Sequence, residues 1–137
     1  LKSTSLMSFK EIAVGDHSFQ GKEKPIRLKD LTENPLISLG QGSTTYEFYS
    51  KFFLENDLVL SPDTEVETID QVLPLIMNGL GIGFLPELFV RPVIEEGKVC
   101  QIPLKENIPE REICLVENHT FPPSIAAEMF KKMLVLK

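Results

Sequence analysis

Few side chains in this chain could do chemistry. The two histidines, His17 and His119, each fall in an expected loop beside a strand end. Neither has a Cys, Asp or Glu at metal-ligand spacing; Asp16 is merely the neighbour of His17. A structural or solvent-exposed role fits both better than a ligand or a general base. Cys100 and Cys114 make no disulfide framework and have no metal-binding neighbour at short spacing, which reads as two reduced thiols in a cytoplasmic protein. No serine sits in the Gly-x-Ser-x-Gly setting of a nucleophile elbow. Gly79-Leu80-Gly81-Ile82-Gly83 is rich in glycine, yet it follows a helix and enters a strand. A dinucleotide fingerprint needs the reverse order, and a phosphate loop would need Gly-Lys-Ser/Thr. Glu65 and Glu67 share one strand face with no second pair opposite, and read as solvated charges. The chain therefore offers no catalytic residue, no metal ligand and no cofactor motif, and an enzyme is not expected.

What remains is a pair of helix starts, each preceded by a short strand. Ser43, Thr44 and Thr45 bring backbone N–H groups and hydroxyls to one, and Thr68 brings them to the other. In an open α/β sheet, strand C-termini and helix N-termini share an edge, so both starts are expected at one crevice. Such an edge holds small polar or anionic molecules without transforming them. Plain helix capping explains the same residues, and the two readings stay open at this level.

The elements that would position these residues follow from periodicity and punctuation. Residues 9–14 alternate and read as a strand, 16–24 as a loop. Residues 25–31 begin with Pro25 and suggest one short helical turn, broken by Asn34-Pro35. Residues 36–39 form a short buried strand bounded by Pro and Gly. The helix over 46–56 has Ser43 or Thr44 as N-cap. Its Tyr46, Tyr49 and Phe53 share one side, with Phe48 and Phe52 beside them. That apolar arc is wider than one packing contact requires. It fits a deeply packed core helix, or one that packs on its own sheet and on a second subunit. Residues 64–67 read as a strand. Thr68 caps a helix over 69–78, with a bend expected at Pro74 and a stop at Asn78-Gly79. Residues 82–85 are a buried strand stopped by Pro86. A helix over 87–96 is expected to be interrupted near Pro92 and ended by Gly97. Strands follow over 99–102 and 112–116. An amphipathic helix over 124–136 carries Ile125, Met129, Met133 and Leu136 on one side. Strands alternating with helices predict an α/β fold with a largely parallel sheet.

At 137 residues, 42% hydrophobic and 25% charged, the chain is one ordinary globular domain in size and composition. Fourteen basic against twenty acidic side chains leave a net charge of −6, which supplies no basic face for duplex DNA. The longest uncharged stretch, 71–86, is short for a bilayer span and is interrupted by Pro74, Gly79, Gly81, Gly83 and Pro86. Residues 1–9 lack a signal-peptide core. The expectation is a cytoplasmic protein with no membrane partner, and a chain that reads as a piece cut from a longer one.

Several segments together resemble one family. Gly79-Leu80-Gly81-Ile82-Gly83-Phe84-Leu85-Pro86 resembles the GLGIallP signature in the effector-binding domain of LysR-type transcriptional regulators. Val14-Gly15-Asp16-His17-Ser18-Phe19 is similar to the family's dHPL stretch. Pro25-Ile26-Arg27-Leu28-Lys29-Asp30-Leu31 with Asn34-Pro35-Leu36-Ile37 is similar to its pisl.dL...PlI. Gly42-Ser43 opens a helix where the family has a ligand-facing Ser or Thr. Gly97-Lys98-Val99 with Ile102-Pro103-Leu104 resembles G.lv.lpl. Residues 112–116, then Pro123-Ser124 and Phe130, resemble the last strand and helix. The order of the motifs carries the resemblance over nearly the whole chain. Two features depart from it. Many members carry a basic residue in the first turn after the Ser/Thr, where this chain has Tyr46-Glu47. Glu65 and Glu67 add negative charge near the other helix start. Both weigh against a simple carboxylate effector.

The resemblance implies a periplasmic-binding-protein-like (type II) lobe, α/β, with a mostly parallel sheet flanked by helices. Residues 1–24 would end a first lobe and supply the first crossover strand. Residues 25–104 would be the second lobe, and 105–137 the second crossover strand and a helix returning to the first lobe. It further implies a small-molecule effector, and Ser43, Thr44, Thr45 and Thr68 at the two helix starts are the residues expected to contact it. With most of the first lobe absent, the unfinished surface is expected to be covered by a homodimer or higher homo-oligomer, through Tyr46, Tyr49, Phe52 and Phe53, or by exchange of the final helix. DNA would be contacted only through an absent N-terminal domain. The rival from another class is a solute-binding protein of a transport system with the same two-lobe fold.

Overall fold

The computed structural model describes residues 1–118, 120 and 122–135, so His119 and Leu136 lie outside the described residues. The chain divides into two units: Lys10–Pro109, and Leu1–Phe9 with Glu110–Lys137.

The larger unit is built around one strand. Ile12, Ala13 and Val14 are all buried, the pattern of a strand covered on both faces. This segment is the second strand of the chain, β2 (Glu11–Asp16); β1 (Lys2–Phe9) belongs to the smaller unit. It lies between β5 (Gly83–Pro86) and β6 (Val99–Ile102) and runs antiparallel to both. β3 (Ile37–Leu39) pairs in parallel with β4 (Thr64–Val66). A parallel bridge between Leu36 and Ile82 ties this pair to β5. There Ile37 N–H donates to the Ile82 carbonyl and Ile82 N–H to the Pro35 carbonyl, both at 2.8 Å. β3, β4, β5 and β6 therefore share one direction and β2 opposes them. The sheet is mostly parallel, as expected, with one antiparallel strand, because the strand that enters first runs against those formed by helical crossovers.

Alternation along these strands sends side chains to two helical layers. Ala13, Leu36, Ile82 and Ile102 join Leu28 and Leu31 of α1 (Leu28–Leu31) and Tyr49, Phe52 and Phe53 of α2 (Thr44–Glu55). Ile12, Val14, Ile37, Leu85 and Val99 join Val72 and Ile76 of α3 (Val72–Met77) and Val90 of α4 (Glu87–Glu95). This is an α/β architecture with a core on each face of one sheet.

Two local expectations change. The helix expected over 69–78 is split into a 3-10 turn, Ile69–Gln71, and α3. The break precedes Pro74, which becomes the third residue of α3, where an N–H would have no intrahelical partner. The interruption expected near Pro92 does not occur, and α4 runs through it. The carbonyl that loses its donor there belongs to Leu88, which is 73% exposed and on the hydrated side of the helix. The larger unit, Lys10–Pro109, takes in residues on both sides of 25–104. Residues 10–24 stay with the larger unit because β2 is its central strand. Residues 105–109 stay because Lys105 N–H donates to the Ile26 carbonyl at 2.8 Å and Glu106 Oε1 accepts from Leu28 N–H at 2.9 Å.

In the smaller unit, β1 (Lys2–Phe9) pairs antiparallel with β7 (Arg111–Glu117), with an irregularity between Ser5 and Met7. α5 (Ile125–Val135) follows, and Lys131 Nζ lies 2.9 Å from Glu117 Oε1. Ile125, Met129 and Met133, the described members of the expected apolar side, are exposed. Among the described residues no helix is long and apolar enough to cross a membrane.

Candidate functional site

The parallel pair β3–β4 fixes the site's geometry. Ile37, Ser38 and Leu39 stand opposite Thr64, Glu65 and Val66. The pairing continues past the strand ends, where Gly40 N–H donates to the Val66 carbonyl at 3.3 Å. Both chains then turn into helical segments, at Ser43 and at Thr68. Two strands that end level in a parallel pair must deliver their next segments to one edge. The structure thus brings Ser43, Thr44, Thr45 and Thr68 to a common edge of the sheet.

Their roles within that edge differ. Ser43 is the N-cap of α2: its Oγ accepts from Tyr46 N–H at 3.0 Å and donates to the Gly40 carbonyl at 2.9 Å. Thr44 and Thr68 are exposed. Thr45 faces inward and lines a hollow of about 20 Å3 with Ser38, Tyr49, Ile69, Val72 and Phe84. That volume has room for about one water. Gln71 was not among the expected residues, yet it closes the second helix start: its Oε1 accepts from Glu67 N–H at 2.9 Å and from Thr68 N–H at 3.2 Å. The signal is in the sequence, since Thr68-Ile69-Asp70-Gln71 has the spacing of a capping box. Ser38 was also missed. It is the one polar residue in the apolar run 36–39, and its Oγ donates to the Leu39 carbonyl at 2.9 Å.

The two helix starts contribute charge of one sign. Glu47, Glu65, Glu67 and Asp70 are all exposed there. The stretches 36–50 and 57–72 contain no Lys, Arg or His. The positive end of the α2 dipole is the counterweight.

The aromatic side of α2 does not reach outward. Tyr49, Phe52 and Phe53 are 3%, 3% and 0% exposed, and Tyr46 packs half-buried against the same core. Tyr49 stacks on Phe84 of β5 at 4.5 Å between ring centres, and Phe48 meets Tyr49 edge-on at 5.0 Å. Tyr49, Phe52 and Phe53, expected at a contact with a second subunit, are covered here by the sheet and α1. The arc is wide because the helix lies in a corner of the chain's own core.

Other titratable residues stand apart from this edge. Asp16 accepts from the backbone N–H and the hydroxyl of Ser18. The hydroxyl bond chiefly holds its carboxyl below the usual range. Burial, then the negative charge of Asp16, pushes the Cys100 thiol up. His17 is exposed in a 3-10 turn. Among the described residues no three His, Cys, Asp or Glu side chains are grouped to hold a metal ion.

The family model described as the LysR substrate binding domain matches residues 2–136. This chain belongs to that family. Among curated relatives, the HTH-type transcriptional regulator YwqM of Bacillus subtilis (strain 168) is 29% identical over 100 residues, covering 73% of this chain and 33% of YwqM. The transcriptional activator CmpR of Synechocystis sp. (strain ATCC 27184 / PCC 6803 / Kazusa) is 36% identical over 64 residues, covering 47% of this chain and 21% of CmpR. The chain thus spans a third or less of the length of these relatives. Among solved structures, the Synechocystis PCC6803 CcmR regulatory domain in complex with 2-PG superposes with a TM-score of 0.86 at 13% identity. The effector binding domain of QuiR in complex with shikimate gives 0.78 at 18%. Each match covers 98% of this chain and about two thirds of the other, 65% and 64% respectively. The fold is that of LysR regulatory domains.

Proposed function

We propose that this chain is the effector-sensing part of a LysR-type transcriptional regulator. It binds a small metabolite at the β3–β4 edge and thereby modulates DNA binding by a domain outside this chain. The observation that carries the proposal is the parallel register of β3 and β4, extended by the Gly40–Val66 hydrogen bond, which delivers four hydroxyl residues to one place. The shikimate complex of QuiR and the 2-PG complex of CcmR support it, since both share this fold. Effector binding would act by population shift, favouring the arrangement in which the edge is best complemented. The four exposed carboxylates at the edge, with no basic residue among them, favour an effector with hydroxyl or other neutral polar groups over a simple carboxylate. The location that follows is the cytoplasm.

The test uses the full-length regulator. A thermal-shift panel of hydroxylated and carboxylated metabolites, shikimate and 2-PG included, identifies a ligand that raises Tm. Thr44→Ala and Thr68→Ala then weaken the response to it and leave basal DNA binding intact. An unaltered response in both variants rejects the placement of the site.

Self-association, in the same reading, uses the outward side of α2. Leu54 is 61% exposed and shares that side with exposed Glu47, Lys51 and Glu55. Leu54→Lys is expected to lower the dimer fraction in sedimentation; an unchanged fraction rejects this face.

A further inference from the structure

We draw no further inference here: the strongest candidate, the exposed apolar side of α5 formed by Ile125, Met129 and Met133, carries nothing because nothing in the structure shows what covers it.

Discussion

Replacing Gly81 by alanine tests whether the glycine-rich signature exists to hold the candidate site's strand in place. A β-carbon at Gly81 would stand 2.6 Å from the Pro35 carbonyl oxygen and 3.1 Å from its carbon. Both are backbone atoms, so no side chain can turn aside. Ordinary contact begins near 3.4 Å, and the oxygen must retreat by about 0.8 Å. A retreat of that size along the bond stretches the 2.8 Å contact from Ile82 N–H to about 3.6 Å, beyond hydrogen-bonding range. An unsatisfied buried donor costs about 1–3 kcal/mol. The φ of +156° at Gly81 adds strain for any residue with a β-carbon. Together these amount to roughly 3 kcal/mol, concentrated where β3 joins β5. Native-state hydrogen exchange reads this directly: the Ile37 and Ile82 amides should exchange on the order of 100-fold faster in Gly81→Ala. Gly83→Ala is the control. Its β-carbon meets Val72 Cγ1 at 2.8 Å and Ile76 Cδ1 at 3.0 Å, side-chain ends that can yield, for about 1–2 kcal/mol. Equal protection of Ile37 and Ile82 in Gly81→Ala and the parent protein would refute the reasoning.

Three further outcomes follow from the same structure. Asp57 ends α2 at φ 60°, the left-handed conformation that favours glycine, so Asp57→Gly should stabilise by about 1 kcal/mol and raise Tm by a few degrees. The Asp16 carboxyl has a folded-state pKa below its ordinary 3.8. The stability it contributes is therefore complete above that value and is lost as pH falls through the lower folded pKa. Ser18→Ala, which removes the main cause, should make the acid unfolding profile shallower below pH 3.8, as measured by circular dichroism. Cys100 is half-buried with a raised pKa, and Cys114 is exposed. Iodoacetamide at neutral pH should therefore label Cys114 well before Cys100, as resolved by mass spectrometry.

Much of the larger unit is legible in the sequence because its signals are local. Thr64–Val66 and Ile37–Leu39 are short apolar or alternating runs between breakers. Gly79 and Gly97 end helices where left-handed residues are required, and the Leu80 N–H bond to the Leu75 carbonyl at 3.0 Å is the closure that such an ending predicts. The direction of β2 is not legible: its apolar run looks the same in either sense, and only its pairing with β5 and β6 decides. β1 escapes because four of its eight residues are Ser or Thr, and because the irregularity between Ser5 and Met7 breaks the alternation that marks a strand. At the site, hydroxyls at helix starts are visible from residue type and spacing. The closure of Thr68 by Gln71 is visible only if the capping-box spacing is read. The partners of the α2 aromatics are non-local, so a wide apolar arc could not distinguish a core corner from a subunit contact.

The two units hold their stability differently. Among the described residues, every buried hydrophobic one falls between Ile12 and Ile102, inside the larger unit, where one truncation such as Phe53→Ala would cost about 3–5 kcal/mol. In the smaller unit no described residue is buried. A two-stranded ribbon alone is marginally stable at best. Yet its helix is amphipathic, a pattern that in a folded domain marks a face packed on another element. About a third of each structural neighbour has no counterpart in this chain. The larger unit carries its own core and the candidate effector edge together. The geometry that presents Ser43, Thr44, Thr45 and Thr68 thus depends on contacts contained within residues 10–109, and the Gly81–Pro35 approach is the point at which that dependence can be broken by one methyl group.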